Sequence, residues 1–115
     1  MEFAYCREIL DSWPMGILFC DLDHVIRYMN PAAEYYYYVT RSYRDLVGKS
    51  VLDCHRPETR ERILALVEEL KAGGGEKRIG TTKIEGYRVY ITPVRDKDGT
   101  LIGYVDRFED GKDGE

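Results

Sequence analysis

The sequence predicts an α+β domain in which one five-stranded antiparallel sheet carries its helices on a single face. Three observations predict it. The apolar stretch from Gly16 to Met29 is interrupted once, by the tight polar turn Asp21-Leu22-Asp23-His24, and reads as a hairpin. Pro57 to Lys71 carries Ile63, Leu66, Val67 and Leu70 at helical spacing. Lys77 to Phe108 then holds three strand-like runs separated by Glu85-Gly86 and Asp96-Lys97-Asp98-Gly99, which reads as a meander.

The chain has 115 residues, enough for one domain with one core and no need of disulfides or metal to hold it. Phe3, Cys6, Leu10 and Trp13 recur at helical spacing before Pro14, so residues 1–14 are expected to form an amphipathic leading helix. Its stripe either packs on its own domain or pairs with a second copy. Ile17 to Cys20 and Val25 to Met29 form the hairpin strands. Because side chains alternate across a sheet, Arg27 opposes Ile26 and Tyr28, which are expected to face the core. His24, in the turn, is expected to be solvated.

Asn30 can cap a helix through its side-chain oxygen, and Pro31 suits the first helical position. That helix runs into Tyr35-Tyr36-Tyr37-Tyr38, and four successive rings cannot share one face, so at least one must meet solvent or line a cavity. Pro57 to Lys71 has Glu58 and Glu61 in its first turn, Lys71 in its last and Gly73 beyond it, and is expected to cross the sheet face. The remaining strands are about Lys77 to Ile84, Tyr87 to Arg95 and Leu101 to Phe108, with Val89 and Ile91 facing the helices. The core domain thus spans residues 15–109, and residues 110–115 read as a disordered tail.

A net charge of −4, with no cluster of lysine and arginine among aromatics, argues against nucleic-acid binding. No apolar run reaches the roughly 18 residues of a membrane span and no signal-peptide pattern opens the chain, so a cytoplasmic location is expected. Cys6, Cys20 and Cys54 lack C-x-x-C spacing, which fits free thiols in a reducing compartment.

Four segments occur in a telling order: Asn30-Pro31-Ala32-Ala33-Glu34, Leu46-Val47-Gly48-Lys49-Ser50, His55-Arg56-Pro57-Glu58-Thr59-Arg60, and Asp98-Gly99-Thr100-Leu101-Ile102-Gly103-Tyr104-Val105. Together they resemble a PAS domain over roughly residues 9 to 109. The resemblance implies a sensor module whose first strand lies centrally, joining the hairpin to the meander. It also implies a small ligand or cofactor between sheet and helices, and a leading helix that pairs in a homodimer. The output would belong to a partner protein or to sequence outside this chain.

Residues expected at such a ligand site are Cys54, His55, Tyr28, Tyr37, Val67, Val89 and Ile91. Cys54-His55-Arg56-Pro57 is similar to a Cys-His-Pro segment of some PAS families, and His55 could ligate a haem iron from the loop entering the helix. The alternative is that His55 caps the helix or bonds a backbone carbonyl. Flavin–thiol photochemistry is not expected, since Val51 stands where the light-sensing branch has its cysteine. An organic metabolite or fatty acid also suits an apolar pocket with a few polar tips. Adjacent Cys54 and His55 point about 100° apart on a helix, which disfavours a catalytic dyad, so no enzyme is expected. The reading is a sensory or regulatory domain, and the alternative is a ligand-free protein-interaction module.

Overall fold

A computed structural model describes residues 4–82 and 85–110, the side chain of Cys54 excepted. In chain order it contains α1 (Cys6–Asp11), β1 (Ile17–Asp21), β2 (Ile26–Met29), α2 (Pro31–Glu34), a π-helical segment (Tyr35–Thr40), a 3-10 turn (Val51–Cys54), α3 (Pro57–Lys71), β3 (Lys77–Thr81), β4 (Arg88–Arg95) and β5 (Leu101–Glu109). The strands form one antiparallel sheet ordered β2-β1-β5-β4-β3. The hairpin therefore joins the meander through β1 and β5, in register from Ile17 opposite Arg107 to Asp21 opposite Gly103. β1 is interior as expected, and β5 is the middle strand.

Alternation sorts the sheet into two faces. Leu18, Cys20, Ile26, Met29, Ile91, Tyr104, Asp106 and Phe108 are buried beneath the helices. Tyr28 corrects the expectation that it faces this core. Phe19 pairs with Tyr28 but Cys20 pairs with Ile26, so Arg27 is an extra residue in a β-bulge. The bulge puts Ile26 and Met29 inward and leaves Tyr28 on the far face beside Phe19, where its hydroxyl donates to Asp11 Oδ1 at 2.5 Å.

α1 is shorter than the spacing predicted. Phe3 lies outside the described residues, and the helix ends at Asp11, where the Ser12 hydroxyl donates back to the Glu8 carbonyl at 2.7 Å. Asn30 Nδ2 donates to the Leu10 carbonyl near the end of α1 and to the Met15 carbonyl of the connector, at 3.1 and 3.0 Å. Oδ1 of the same side chain caps α2 by accepting from Ala33 N at 2.9 Å. Asn30 thus ties the leading segment to the start of the helical layer.

After one α-turn, α2 widens into the π-helical segment, marked by the Arg41 amide donating to the Tyr36 carbonyl five residues back. This places both Tyr36 and Tyr37 in the core, while Tyr35 is 65% exposed. Tyr38 is half-buried, its hydroxyl accepting from the Leu46 amide at 3.1 Å. From there the Leu46–Ser50 segment returns along the open edge of β2: Gly48, at φ +94°, donates to the Ile26 carbonyl, and Ile26 donates to that of Lys49. An edge strand is thereby covered against stray pairing.

α3 crosses the sheet as expected and buries Ile63, Leu66, Val67 and Leu70. Each such side chain contributes about 1.5–3 kcal/mol of burial. Two arginines strap the helix to the sheet. Arg62 donates to the Ile79 and Arg78 carbonyls of β3 at 2.8 and 3.0 Å, and Arg95 of β4 donates to the Leu70 carbonyl in the last turn of α3 at 2.8 Å and to the Gly74 carbonyl beyond it at 3.2 Å. Arg95→Met is expected to lower stability by about 1.5–3 kcal/mol, the range for hydrogen bonds from a charged group. Urea unfolding checks this, and a loss below about 0.5 kcal/mol would reject the strap.

β3 ends at Thr81 rather than near Ile84, and Lys83 and Ile84 lie outside the described residues. The expected tail at 110–115 lies outside them too, save Asp110. No helix among the described residues is long and apolar enough to cross a membrane.

Candidate functional site

The expected site residues divide into three groups. Tyr37, Val67 and Ile91 are buried in one cluster between the helices and the sheet, and Val89 packs against it. His55 follows the 3-10 turn and precedes α3, and its Nε2 is enclosed without a hydrogen-bond partner. Burial lowers its pKa, helped by the charge of Arg41, so the imidazole is neutral. Cys54 closes the same turn by its backbone. Tyr28 stands apart on the opposite face.

These residues do not fit a haem in this arrangement. A slot for the macrocycle needs roughly 300 Å3 or more. The surfaces that would form it are closed by Ile63, Val67, Leu70, Ile91 and Tyr104, each at most 1% exposed.

Open space lies instead at the α2 end of the helical layer. A cavity of about 280 Å3 is walled by Tyr35 and Tyr36 of the π-helical segment, Phe108 of β5, Tyr87 just before β4, Glu85, and Met15 of the connector from α1 to β1. The Tyr36 ring meets Phe108 edge-on at 4.8 Å, and Tyr87 stacks on Phe108 at 6.1 Å. Burial raises the pKa of the Tyr36 phenol, and the hydrogen bond it accepts from Arg41 Nη1 at 3.0 Å offsets part of that rise. The tyrosine run pointed to a ring lining a cavity but not to the cavity's other walls. A second, more open cavity of about 500 Å3 lies where the connector passes the end of β5, between Trp13, Met15 and the ion-paired Arg88, Arg107 and Glu109.

Two polar features went unread in the sequence. His24, expected to be solvated, is half-buried at φ +66°, with Nδ1 2.8 Å from the Tyr104 hydroxyl. The turn folds it back over the sheet end, and desolvation lowers its pKa. Asp106 is 2% exposed, and its Oδ1 has no hydrogen-bond partner. A signal for it existed: Tyr104, Asp106 and Phe108 alternate along β5, so the two aromatics that must face the core carry the aspartate with them.

A search of curated proteins returned no match. Among solved structures, the chain is similar to a C-terminal domain from Streptococcus mutans, at 25% identity over 90% of this chain and 81% of that one, with a TM-score of 0.72. It is similar to the PAS domain of a protein from Colwellia psychrerythraea, at 20% identity over 90% and 91%, TM-score 0.64. It is also similar to a sensory box sensor histidine kinase from Vibrio cholerae, at 19% identity over 90% and 86%, TM-score 0.64. A family model described as the PAS fold matches residues 10–111. With the strand order, the helical cover and nearly the whole length in agreement, this chain belongs to the PAS fold family.

Proposed function

We propose that this chain is a sensory or regulatory module that takes a small ligand between helices and sheet and passes its occupancy to a second copy of itself or to a partner protein. One observation carries the reading. The aromatic cavity is walled at once by the helical cover, by the end of β5 and by the connector to α1. A ligand seated there therefore touches the segments that enter and leave the domain, and a modest preference for one arrangement shifts their populations. Family membership supports a sensory role over an enzymatic one, since PAS domains serve generally as sensory modules.

Exposed apolar residues of α1 and of the connector just after it support pairing. Ile9, Leu10 and Trp13 are 47%, 37% and 54% exposed, and α1 itself buries no residue. A second copy of this helix would cover them. Native mass spectrometry of the purified chain tests both parts. The expected result is a dimer retaining a small-molecule mass, a Tyr87→Ala variant that loses the extra mass, and an Ile9→Glu/Trp13→Glu variant that is monomeric yet keeps it. A wild type with no bound mass, whose oligomeric state ignores both variants, favours the ligand-free interaction module.

A further inference from the structure

Asp106 occupies the middle strand, with its side chain on the face covered by the helices. Its cross-strand neighbours are Leu18 of β1 and Ile91 of β4, both fully or nearly fully buried. Tyr104 and Phe108 flank it on the same face of β5. The titratable groups nearby are a cysteine, a tyrosine and a histidine. From β1 the Cys20 thiol, together with Asp106, acts on Tyr104, and from the hairpin turn His24 bonds that tyrosine's hydroxyl. The helical layer over this face buries the apolar stripe of α3 and the rings of Tyr36 and Tyr37 in the same core.

The only polar or charged residues buried among those described are Asn30 and Asp106, so no lysine or arginine of the described core meets this carboxylate. An ionised carboxylate without a cation or donor in apolar surroundings is costly, and such a group keeps its proton instead. Burial alone pushes the Asp106 pKa up to about 7, and no nearby charge opposes it.

We propose that Asp106 is a proton-binding site through which this module responds to proton concentration: protonated, it lets α3 lie closed on the sheet, and ionised, it draws water beneath α3 and loosens it. The proton leaves to solvent, and no other bond changes. This rests on the sensory reading above and names one of its inputs. The folded carboxyl releases its proton at about 7, against an ordinary value of 3.8. The closed state is therefore at full stability below the ordinary value and loses it as pH rises through about 7.

The test is a pH titration of the full chain carrying 13C-labelled aspartate, read by NMR at the carboxyl carbons. Hydrogen exchange of α3 amides, corrected for intrinsic rates, accompanies it in wild type, Asp106→Asn and Asp106→Leu. The expected result is an Asp106 carbon that titrates near neutrality, and α3 protection in wild type that falls about tenfold or more between about pH 6 and about pH 8.5. Both neutral variants should hold their protection over that range. An Asp106 carbon that titrates with the other carboxylates in acid overturns the proposal, as does α3 protection that falls equally in Asp106→Asn. Where a variant fails to fold, the wild-type titration decides alone. Failure here leaves the ligand reading intact, because that reading is judged by the bound small-molecule mass and its loss in Tyr87→Ala.

Discussion

Asn30→Ala is expected to lower stability by about 3–5 kcal/mol and to detach α1 from the sheet. The side chain is fully buried, and each of its polar atoms has partners. Oδ1 accepts from the Ile17 and Ala33 amides, both at 2.9 Å, so one oxygen starts β1 and caps α2 together. Nδ2 takes the Leu10 and Met15 carbonyls. Alanine leaves two amides and the Met15 carbonyl without those partners in a site with little room for water, while the Leu10 carbonyl keeps the Trp13 amide; each orphaned group costs about 1–3 kcal/mol. Asn30→Asp keeps the acceptor but sets a carboxylate against two carbonyl oxygens, so it should rescue only part of the loss. Urea unfolding gives the magnitude, and limited proteolysis within the first 14 residues reports the detachment. A loss under about 1 kcal/mol, with no faster cleavage, would show that α1 does not depend on this residue.

Gly103→Ala is the second large effect, a loss of about 3 kcal/mol or more. Gly103 is buried on β5 opposite Asp21, where the hairpin meets the meander. A Cβ there would collide with the carbonyl oxygen of Cys20 and come within 2.7 Å of the Phe19 ring. Backbone oxygen on one side and a ring wedged against the strand on the other leave nothing to yield except the β1–β5 pairing itself. Gly80→Ala is the control, because nothing lies within 4 Å of a Cβ at that position in β3. It should change stability by less than about 0.5 kcal/mol. Thermal melting of the two variants side by side checks the contrast, and equal melting points would refute it.

The helices and strands that carry their own local signals were legible residue by residue. Asn30-Pro31 announced a cap, the stripe of Ile63, Leu66, Val67 and Leu70 announced α3, and Asp96 to Gly99 announced the last hairpin. Of the candidate site, Val67 and Ile91 fell in the core and Val89 against it because alternation and helical period place them there. Tyr28 did not, because one extra residue in the bulge reverses the parity on which the reading depends.

Chain order, hydrophobic period and turn chemistry settle which segments become helix or strand, because those preferences act over a few neighbouring residues. The bulge at Arg27, the π-helical widening that buries both Tyr36 and Tyr37, the contact of His24 with Tyr104, and the cavity between Tyr36, Tyr87 and Phe108 depend on residues far apart in the chain. Asp106 lies between the two cases. Alternation alone turns it inward, but its solitude comes from what α3, β1 and β4 bring around it, and whether a buried carboxyl finds a cation is a matter of three-dimensional neighbours.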